Sequence, residues 1–181
     1  MTLTKGSIHF PFIVSEFKFH SDLKQDLLKL IELEKSNTVK NDRDIIEKTD
    51  YDFGNFVDKE YFKKLLKPVV EHMFPILNSL QIKDFKIDSC WFQQYTFNDT
   101  HSWHRHPNTQ YANVYYLELP SDGPTTELRS PFDNETIIEP KVSEGSILTF
   151  PGMVVHRSAP NKSKQRKTVI AFNISEVGVS V

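Results

Sequence analysis

Three histidines in this chain have the spacing of a metal site. His104 and His106 form a His-x-His pair, and His156 follows fifty residues after His106. Side-chain direction along a strand repeats every second residue, so the pair and a distant histidine can present three imidazoles to one face of a metal and leave the opposite face open. His101 is a rival ligand, but it would not share a strand face with His104. Imidazole binds iron, copper, nickel and zinc, so the spacing predicts a metal without selecting one.

A basic segment that follows the third histidine predicts a carboxylate site. We expect segments 153–157 and 166–172 to form a hairpin, which would place Arg166 and Thr168 near His156 and turn Lys167 away. A guanidinium is suited to two-pronged binding of a carboxylate, and a threonine hydroxyl can assist it. An arginine beside a metal ligand would therefore hold an acidic ligand next to the metal.

Composition predicts one soluble domain spanning residues 1–181. The chain has 181 residues, 38% of them hydrophobic, and a net charge of -2, which gives no overall attraction to nucleic acid or anionic membranes. Cys90 is the sole cysteine, so neither an internal disulfide nor a cysteine-based zinc site is possible. The N-terminus lacks a signal-like apolar stretch, and no segment approaches the roughly 20 apolar residues of a membrane span. We expect a reducing, cytoplasmic compartment and no membrane partner.

The pattern along the chain predicts a helical front and a stranded back. Helices are expected at about 22–34 and 58–80, separated by a loop over 37–55, after an alternating stretch at 8–19. Short strands punctuated by Pro and Gly turns are expected at 85–97, 111–119, 125–129, 136–139, 146–150, 153–157 and 166–174. Such regular short strands are typical of an all-β sandwich or barrel, here with two helices bracing one sheet.

Several motifs after residue 90 occur in a fixed order. They are His104-Arg105-His106-Pro107-Asn108, Ala112-Asn113-Val114-Tyr115-Tyr116-Leu117, Glu144-Gly145-Ser146-Ile147-Leu148-Thr149-Phe150-Pro151, His156, Arg166-Lys167-Thr168 and Ala171-Phe172-Asn173. Their order and spacing resemble the Fe(II)- and 2-oxoglutarate-dependent oxygenases, in particular the compact prolyl-hydroxylase-like branch found in phages and marine bacteria. Earlier in the chain, Lys48-Thr49-Asp50-Tyr51 resembles a Thr-Asp-Trp segment of relatives.

The resemblance implies a fold, a cofactor set and a reaction. The fold would be mainly β, a double-stranded β-helix (jelly-roll) at about 85–175, with a supporting part at about 1–84 whose helices pack on the larger sheet. The cofactors would be Fe(II) and the cosubstrate 2-oxoglutarate. Dioxygen would hydroxylate a C–H bond of a protein, peptide or small molecule while 2-oxoglutarate is decarboxylated to succinate. A phage-encoded member would act in the cytoplasm of its host cell.

The resemblance also assigns residues to roles. The iron ligands would be His104, His106 and His156. Arg166, assisted by Thr168, would bind the far carboxylate of 2-oxoglutarate, and Tyr95 or Tyr115 would add a hydrogen bond to it. The chain departs from most of the superfamily at His106, where an aspartate or glutamate is usual, so that three neutral imidazoles would leave Fe(II) its full double charge.

Three other functions stay open at this point. The chain could be a three-histidine dioxygenase of the thiol-oxidising kind that needs no 2-oxoglutarate, or a non-catalytic metal-binding jelly-roll, because a fold does not dictate a function. A nucleic-acid base could be the substrate if Arg157, Lys162, Lys164 and Lys167 formed a phosphate-binding patch. The slightly acidic chain makes a solvated loop the simpler interpretation of those charges.

Overall fold

The computed structural model of the chain describes residues 10–178, which form two α-helices and eleven strands. Ile8 and His9, at the start of the predicted alternating stretch, lie outside the described residues. The helices are α1 (His20–Leu33) and α2 (Glu60–Ser79). The strands are β1 (Ile13–Glu16), β2 (Asn37–Lys40), β3 (Ile45–Thr49), β4 (Phe85–Tyr95), β5 (His101–His104), β6 (Tyr111–Glu118), β7 (Thr126–Arg129), β8 (Ile137–Ile138), β9 (Ser146–Pro151), β10 (His156–Ser158) and β11 (Lys167–Glu176).

The strands form two sheets that together make a double-stranded β-helix, as predicted. The larger sheet has the order β1-β9-β6-β11-β4-β3-β2, and the smaller has the order β5-β10-β7-β8. From β4 to β11 the chain passes repeatedly between the two sheets, and all pairings between strands are antiparallel. This winding is the jelly-roll arrangement that the sequence pattern and the resemblance indicated.

The two helices cover the outer face of the larger sheet. Leu27 and Ile31 of α1 and Leu65 and Met73 of α2 are buried in one cluster with apolar side chains of β4, β6, β9 and β11. The prediction of two helices bracing one sheet is confirmed, and α2 continues through two prolines. Neither helix described by residues 10–178 is long and apolar enough to cross a membrane.

Alternate residues of β11 face opposite sides of the larger sheet, and this alternation decides which side chains reach the interior. Ile170 and Phe172 pack into the cluster beneath the helices. Val169 packs into a second cluster between the two sheets, and Ala171 and Asn173 line a cavity there. The first residue of the strand, Lys167, has the same parity as Val169, because side chains alternate with a period of two.

Two local predictions are wrong. The segment 37–55 is not a loop: β2 and β3 form a hairpin that extends the sheet from β4, followed by a short 3₁₀ helix at Phe56–Asp58. The hairpin lies at a partly exposed edge of the larger sheet and has many polar side chains. Its sequence therefore lacks a clear alternation of apolar and polar residues. The expected hairpin between 153–157 and 166–172 is also absent from the described chain, because β10 pairs with β5 and β7 in the smaller sheet while β11 pairs with β4 and β6.

A buried carboxylate fixes the end of β3 against β4. Asp50 is 1% exposed and accepts hydrogen bonds from the Phe92 backbone N–H (2.8 Å) and the Tyr61 hydroxyl (2.9 Å). Its second oxygen also lies 2.7 Å from Lys59 Nζ, which is buried beside it. A buried charge is tolerated only when it is paired and hydrogen-bonded, and this carboxylate is both. Asp50 therefore ties α2 to the two strands that lead to the site.

Removal of one of these bonds should lower stability without unfolding the protein. A hydrogen bond to a charged group contributes about 1.5–3 kcal/mol, so Tyr61→Phe should lower the melting temperature by about 2–4 °C for each kcal/mol lost. Tyr51→Phe is the matched control, since the Tyr51 side chain is 62% exposed. Thermal unfolding of both variants tests this. Equal melting temperatures for the two variants would contradict the role given to Asp50.

Candidate functional site

The three predicted histidines meet between the two sheets. His104 ends β5, His156 begins β10, and the two residues are direct partners in the antiparallel register. His106 follows two residues after β5 rather than lying within a strand. One nitrogen from each ring lies within 4.8 Å of the other two. The structure thus brings together the three side chains that the sequence pattern indicated.

Backbone carbonyls orient two of the imidazoles. The Nδ1 of His104 lies 2.7 Å from the Ser102 carbonyl, and the Nδ1 of His156 lies 2.9 Å from the Val154 carbonyl. A carbonyl only accepts, so each Nδ1 carries the hydrogen and each Nε2 keeps a lone pair. Ligating histidines in proteins commonly use this arrangement, in which the second nitrogen donates to a carbonyl. Both residues are therefore in the tautomer that a metal requires.

Burial keeps the histidines neutral. Desolvation lowers the pKa of His104, lowers the pKa of His106 to about 4, and takes the pKa of His156 well below its ordinary value. A metal ligand must be the neutral imidazole. The cavity therefore holds the ring nitrogens in the protonation state that binds a cation.

A close backbone contact fixes the segment that carries His106. The His106 backbone N–H donates to the Gly152 carbonyl over 2.8 Å. A Cβ at Gly152 would lie 2.6 Å from the Thr109 carbonyl oxygen and 2.8 Å from that of His106, closer than real side chains approach. Glycine is needed at this turn so that the segments before His156 and after β5 can pack together.

His101 lies beside the cluster but outside it. Its ring stacks on that of His104 with centroids 3.9 Å apart, and its Nδ1 lies 3.3 Å from Gln93 Nε2. It lines the same cavity, yet it does not share the close nitrogen grouping of the other three among the described residues. His101 is thus outside the close nitrogen grouping, although its ring faces the same cavity as that of His104, contrary to the prediction from strand alternation.

Arg166 and Thr168 do not face this cavity, so the orientation predicted for them is wrong. Arg166 donates through Nε to Glu118 (2.9 Å) and through a terminal nitrogen to Glu32 (2.6 Å) at the outer edge of the larger sheet. The Thr168 hydroxyl donates to Glu118 as well. The error arose because the expected hairpin does not form. β10 lies in the smaller sheet and β11 in the larger one, and the even-numbered side chains of β11 point toward the helices.

Lys167, which was expected to point away, is a basic residue that lines the cavity. Its side chain is 1% exposed, and Nζ donates to Ser158 Oγ over 2.9 Å and lies 5.2 Å from the centre of the Tyr95 ring. Among residues 10–178 no carboxylate pairs with it. Burial lowers the pKa of Lys167 to about 7. The sequence did contain a signal: positions 169, 171 and 173 are Val, Ala and Asn, smaller and more polar than Ile170 and Phe172.

The two tyrosines that were predicted to contact 2-oxoglutarate lie on opposite sides of the larger sheet. Tyr95 is buried, lines the cavity beside Lys167, and donates through its hydroxyl to Gln93 Oε1 over 2.9 Å. Tyr115 lies on the other side of the sheet, where its hydroxyl is 2.7 Å from His20 Nδ1. Tyr95 therefore has the position that was predicted, whereas the placement of Tyr115 at the site is wrong.

The proposed basic patch for nucleic acid is also not formed. Lys167 is inside the cavity, Arg157 pairs with Glu127 over 2.7 Å, and Lys162 donates to Asn98. The remaining charge on this loop is too small to act as a phosphate-binding surface.

Comparisons with known proteins give one family match and a shared fold. A family model described as a putative 2OG-Fe(II) oxygenase matches residues 89–173. A search of curated proteins found no match. Among solved structures, a 2OG-Fe(II) oxygenase family oxidoreductase from Burkholderia pseudomallei superposes with a TM-score of 0.72 at 9% identity, covering 91% of this chain and 84% of that one.

Two further structures have the same fold. A Pseudomonas putida prolyl-4-hydroxylase gives a TM-score of 0.65 at 16% identity, covering 92% of this chain and 93% of that one. HygX from Streptomyces hygroscopicus, solved with nickel and 2-oxoglutarate bound, gives a TM-score of 0.65 at 9% identity, covering 92% of this chain and 83% of that one. At these identities the likeness establishes the fold.

Proposed function

We propose that this chain is a member of the 2OG-Fe(II) oxygenase superfamily and acts as an Fe(II)- and 2-oxoglutarate-dependent dioxygenase that hydroxylates a C–H bond of a peptide or small molecule. The match over residues 89–173 includes all three histidines and Lys167.

The observation that carries the proposal is the buried ammonium of Lys167. A buried cation without a carboxylate partner is unfavourable, and among the described residues its hydrogen-bond partner is the Ser158 hydroxyl. The cavity that contains it runs to the three histidines. A ligand that chelates a metal at one end and carries a carboxylate at the other would fill this cavity and supply the missing counter-charge. 2-Oxoglutarate has those two ends.

The donor set fits Fe(II). Three neutral imidazoles from His104, His106 and His156 would occupy one face of the ion and leave positions for the 2-oxo acid and for dioxygen. Bound Fe(II) and 2-oxoglutarate would supply the oxidising chemistry: dioxygen is reduced, 2-oxoglutarate loses carbon dioxide to become succinate, and one oxygen atom converts a substrate C–H into C–OH while the other enters succinate.

The residues of the chain contribute binding and positioning. Lys167 and Tyr95 would hold the far carboxylate of 2-oxoglutarate, with the Ser158 and Thr126 side chains completing that end of the cavity. The Ser102 and Val154 carbonyls keep the Nε2 atoms of His104 and His156 directed to the metal. The two sheets exclude water around this end, which strengthens the attraction between the ammonium and the carboxylate.

Lys167 also argues against the cosubstrate-free alternatives. A three-histidine dioxygenase without 2-oxoglutarate, or a metal-binding module, would have no ligand to offset this buried charge. Addition of 2-oxoglutarate to the Fe(II)-loaded protein without oxygen tests the proposal, because chelation by the 2-oxo acid produces a metal-to-ligand absorption band. We expect a saturable band; its absence with metal bound would refute the proposed function.

The lowered pKa of Lys167 predicts a pH dependence of 2-oxoglutarate binding. The far carboxylate of 2-oxoglutarate requires the charged form of Lys167. Because the pKa of Lys167 is about 7, the charged fraction of this side chain decreases as the pH rises. Affinity should fall about tenfold between about pH 6 and about pH 8. Pyruvate, which chelates metal but lacks the far carboxylate, is the control and should show no such loss. Equal 2-oxoglutarate affinity at both pH values, measured by titration calorimetry, would contradict the assignment.

A further inference from the structure

A second, wider cavity opens beside the histidines. It has a volume of about 430 Å³ and is bounded by the β2–β3 hairpin, by the turn that follows β3, and by β4 and β5. His101, His104 and His106 line both this cavity and the one that contains Lys167. Cavities that bind small molecules commonly have volumes of about 300–1,000 Å³. A substrate here would therefore lie beside the three histidines, in a cavity that Lys167 does not line.

The charges that line the wider cavity favour a cation. Asp44 and Asp52 contribute two carboxylates and Arg105 one guanidinium, whereas the histidines are neutral. Asp44 is held in place, since its Oδ1 accepts the Ser102 backbone N–H over 2.8 Å. That hydrogen bond helps to lower the pKa of Asp44, which keeps its carboxylate ionised.

Two aromatic side chains form a wall of the same cavity. Tyr51 and Trp91 pack edge to face with ring centroids 5.2 Å apart, and the Tyr51 ring is largely exposed. Aromatic faces attract ammonium and guanidinium groups. Trp91 is 5% exposed, and its indole N–H has no hydrogen-bond partner in the described chain. A buried donor of this kind is uncommon, and the indole contributes its ring to the wall of the cavity.

We infer that the wider cavity binds a basic amino acid, either free or within a peptide, with Asp44 as the residue that selects its cationic side chain. The inference rests on the proposed function, because the hydroxylated carbon would lie at the histidine face. An ammonium or guanidinium would pair with Asp44 beside the aromatic rings of Tyr51 and Trp91. Arginine-like and lysine-like ligands share this chemistry.

The test is calorimetric binding to the protein loaded with Fe(II) and 2-oxoglutarate without oxygen. The probes are free L-arginine and L-lysine, the blocked peptide-like N-acetyl-arginine methylamide, the neutral analogues citrulline and norleucine, and a proline peptide. We expect at least one basic probe to bind about tenfold or more tightly than its neutral analogue. Free and blocked arginine distinguish an amino acid from a peptide substrate.

Asp44→Asn keeps the oxygen that accepts the Ser102 N–H and removes the charge. It should weaken binding of the basic probe by about 10- to 100-fold, as for loss of a charged hydrogen bond. Asp42→Asn, in the same turn but outside the cavity lining, is the matched control and should leave binding unchanged.

Equal binding of basic and neutral probes, unchanged binding in Asp44→Asn, or binding of the proline peptide alone would overturn the inference. Absence of binding by every probe would overturn it too. If 2-oxoglutarate binds normally in those experiments, only this inference fails. If 2-oxoglutarate itself does not bind, the proposed function fails, and the probes are then titrated into the protein loaded with Fe(II) alone.

Discussion

Lys167→Met should nearly abolish 2-oxoglutarate binding. The variant keeps the length and apolar stem of the side chain but leaves the far carboxylate without its counter-charge in a cavity that excludes water. Loss of one partner of a buried charge pair costs about 3–5 kcal/mol, which corresponds to a roughly hundred- to several-thousand-fold loss of affinity. Calorimetry with the metal-loaded protein under anaerobic conditions measures the affinity for 2-oxoglutarate directly.

Arg166→Met is the matched control on the neighbouring position of the chain. Its guanidinium is paired with Glu118 and Glu32 outside the cavity, and the side chain is 36% exposed. Exposed ion pairs contribute about 0–1 kcal/mol, so this variant should lose little stability and keep its affinity for 2-oxoglutarate within about twofold. A large loss in Arg166→Met with normal binding in Lys167→Met would reverse the assignment.

His156→Ala should remove most metal binding. The residue is 5% exposed and supplies one of three nitrogens. Loss of a group that merely orients a ligand typically costs about 10- to 100-fold in metal affinity, so loss of a ligand itself should cost about 100-fold or more. Competition with a chelator of known affinity measures Fe(II) binding.

Neighbouring histidines provide the controls for that experiment. His101→Ala removes a ring stacked on His104 but no ligand, and should retain affinity within about tenfold. His106→Asp should retain metal, because two histidines and one carboxylate also form a facial site for Fe(II), whereas His106→Ala should not. Parent-like affinity in His156→Ala would disprove the three-histidine site.

The sequence predicted the cluster of three histidines because few residue types are suited to binding a metal. Imidazoles in a His-x-His pair and a third histidine at a turn restrict the chemistry before any fold is known. The order of strands and turns after residue 85 also predicted an all-β sandwich or barrel with two helices on one sheet, and the family resemblance specified the jelly-roll. These features depend on residue type, spacing and local propensity, all of which can be seen in a single sequence.

The partner of the cosubstrate could not be identified in the same way. Arg166 and Lys167 are adjacent basic residues, and the choice between them depends on which face of β11 looks inward. That face is set by pairing with β4 and β6, which lie about fifty or more residues earlier in the chain. A shift of the strand by one residue would exchange its inward-facing side chains with its outward-facing ones. The same long-range pairing explains why Tyr115 was assigned to the wrong side.

The β2–β3 hairpin was missed for a related reason. It is joined to the sheet through two residue pairs with β4, Lys48 with Gln94 and Thr49 with Gln93. Its polar side chains face solvent or the wider cavity, so the local pattern resembles a loop. Tertiary pairing, rather than propensity, makes this segment a strand, and it is the segment that carries Asp44.

Production of succinate from 2-oxoglutarate tests the central claim most directly. The parent protein, supplied with Fe(II) and dioxygen, should form succinate and carbon dioxide in equal amounts, and omission of either should stop it. Lys167→Met should form little succinate at 2-oxoglutarate concentrations that saturate the parent, while Arg166→Met should match the parent. No succinate from an iron-loaded parent across the substrate probes, or parent-like rates in Lys167→Met, would contradict the account.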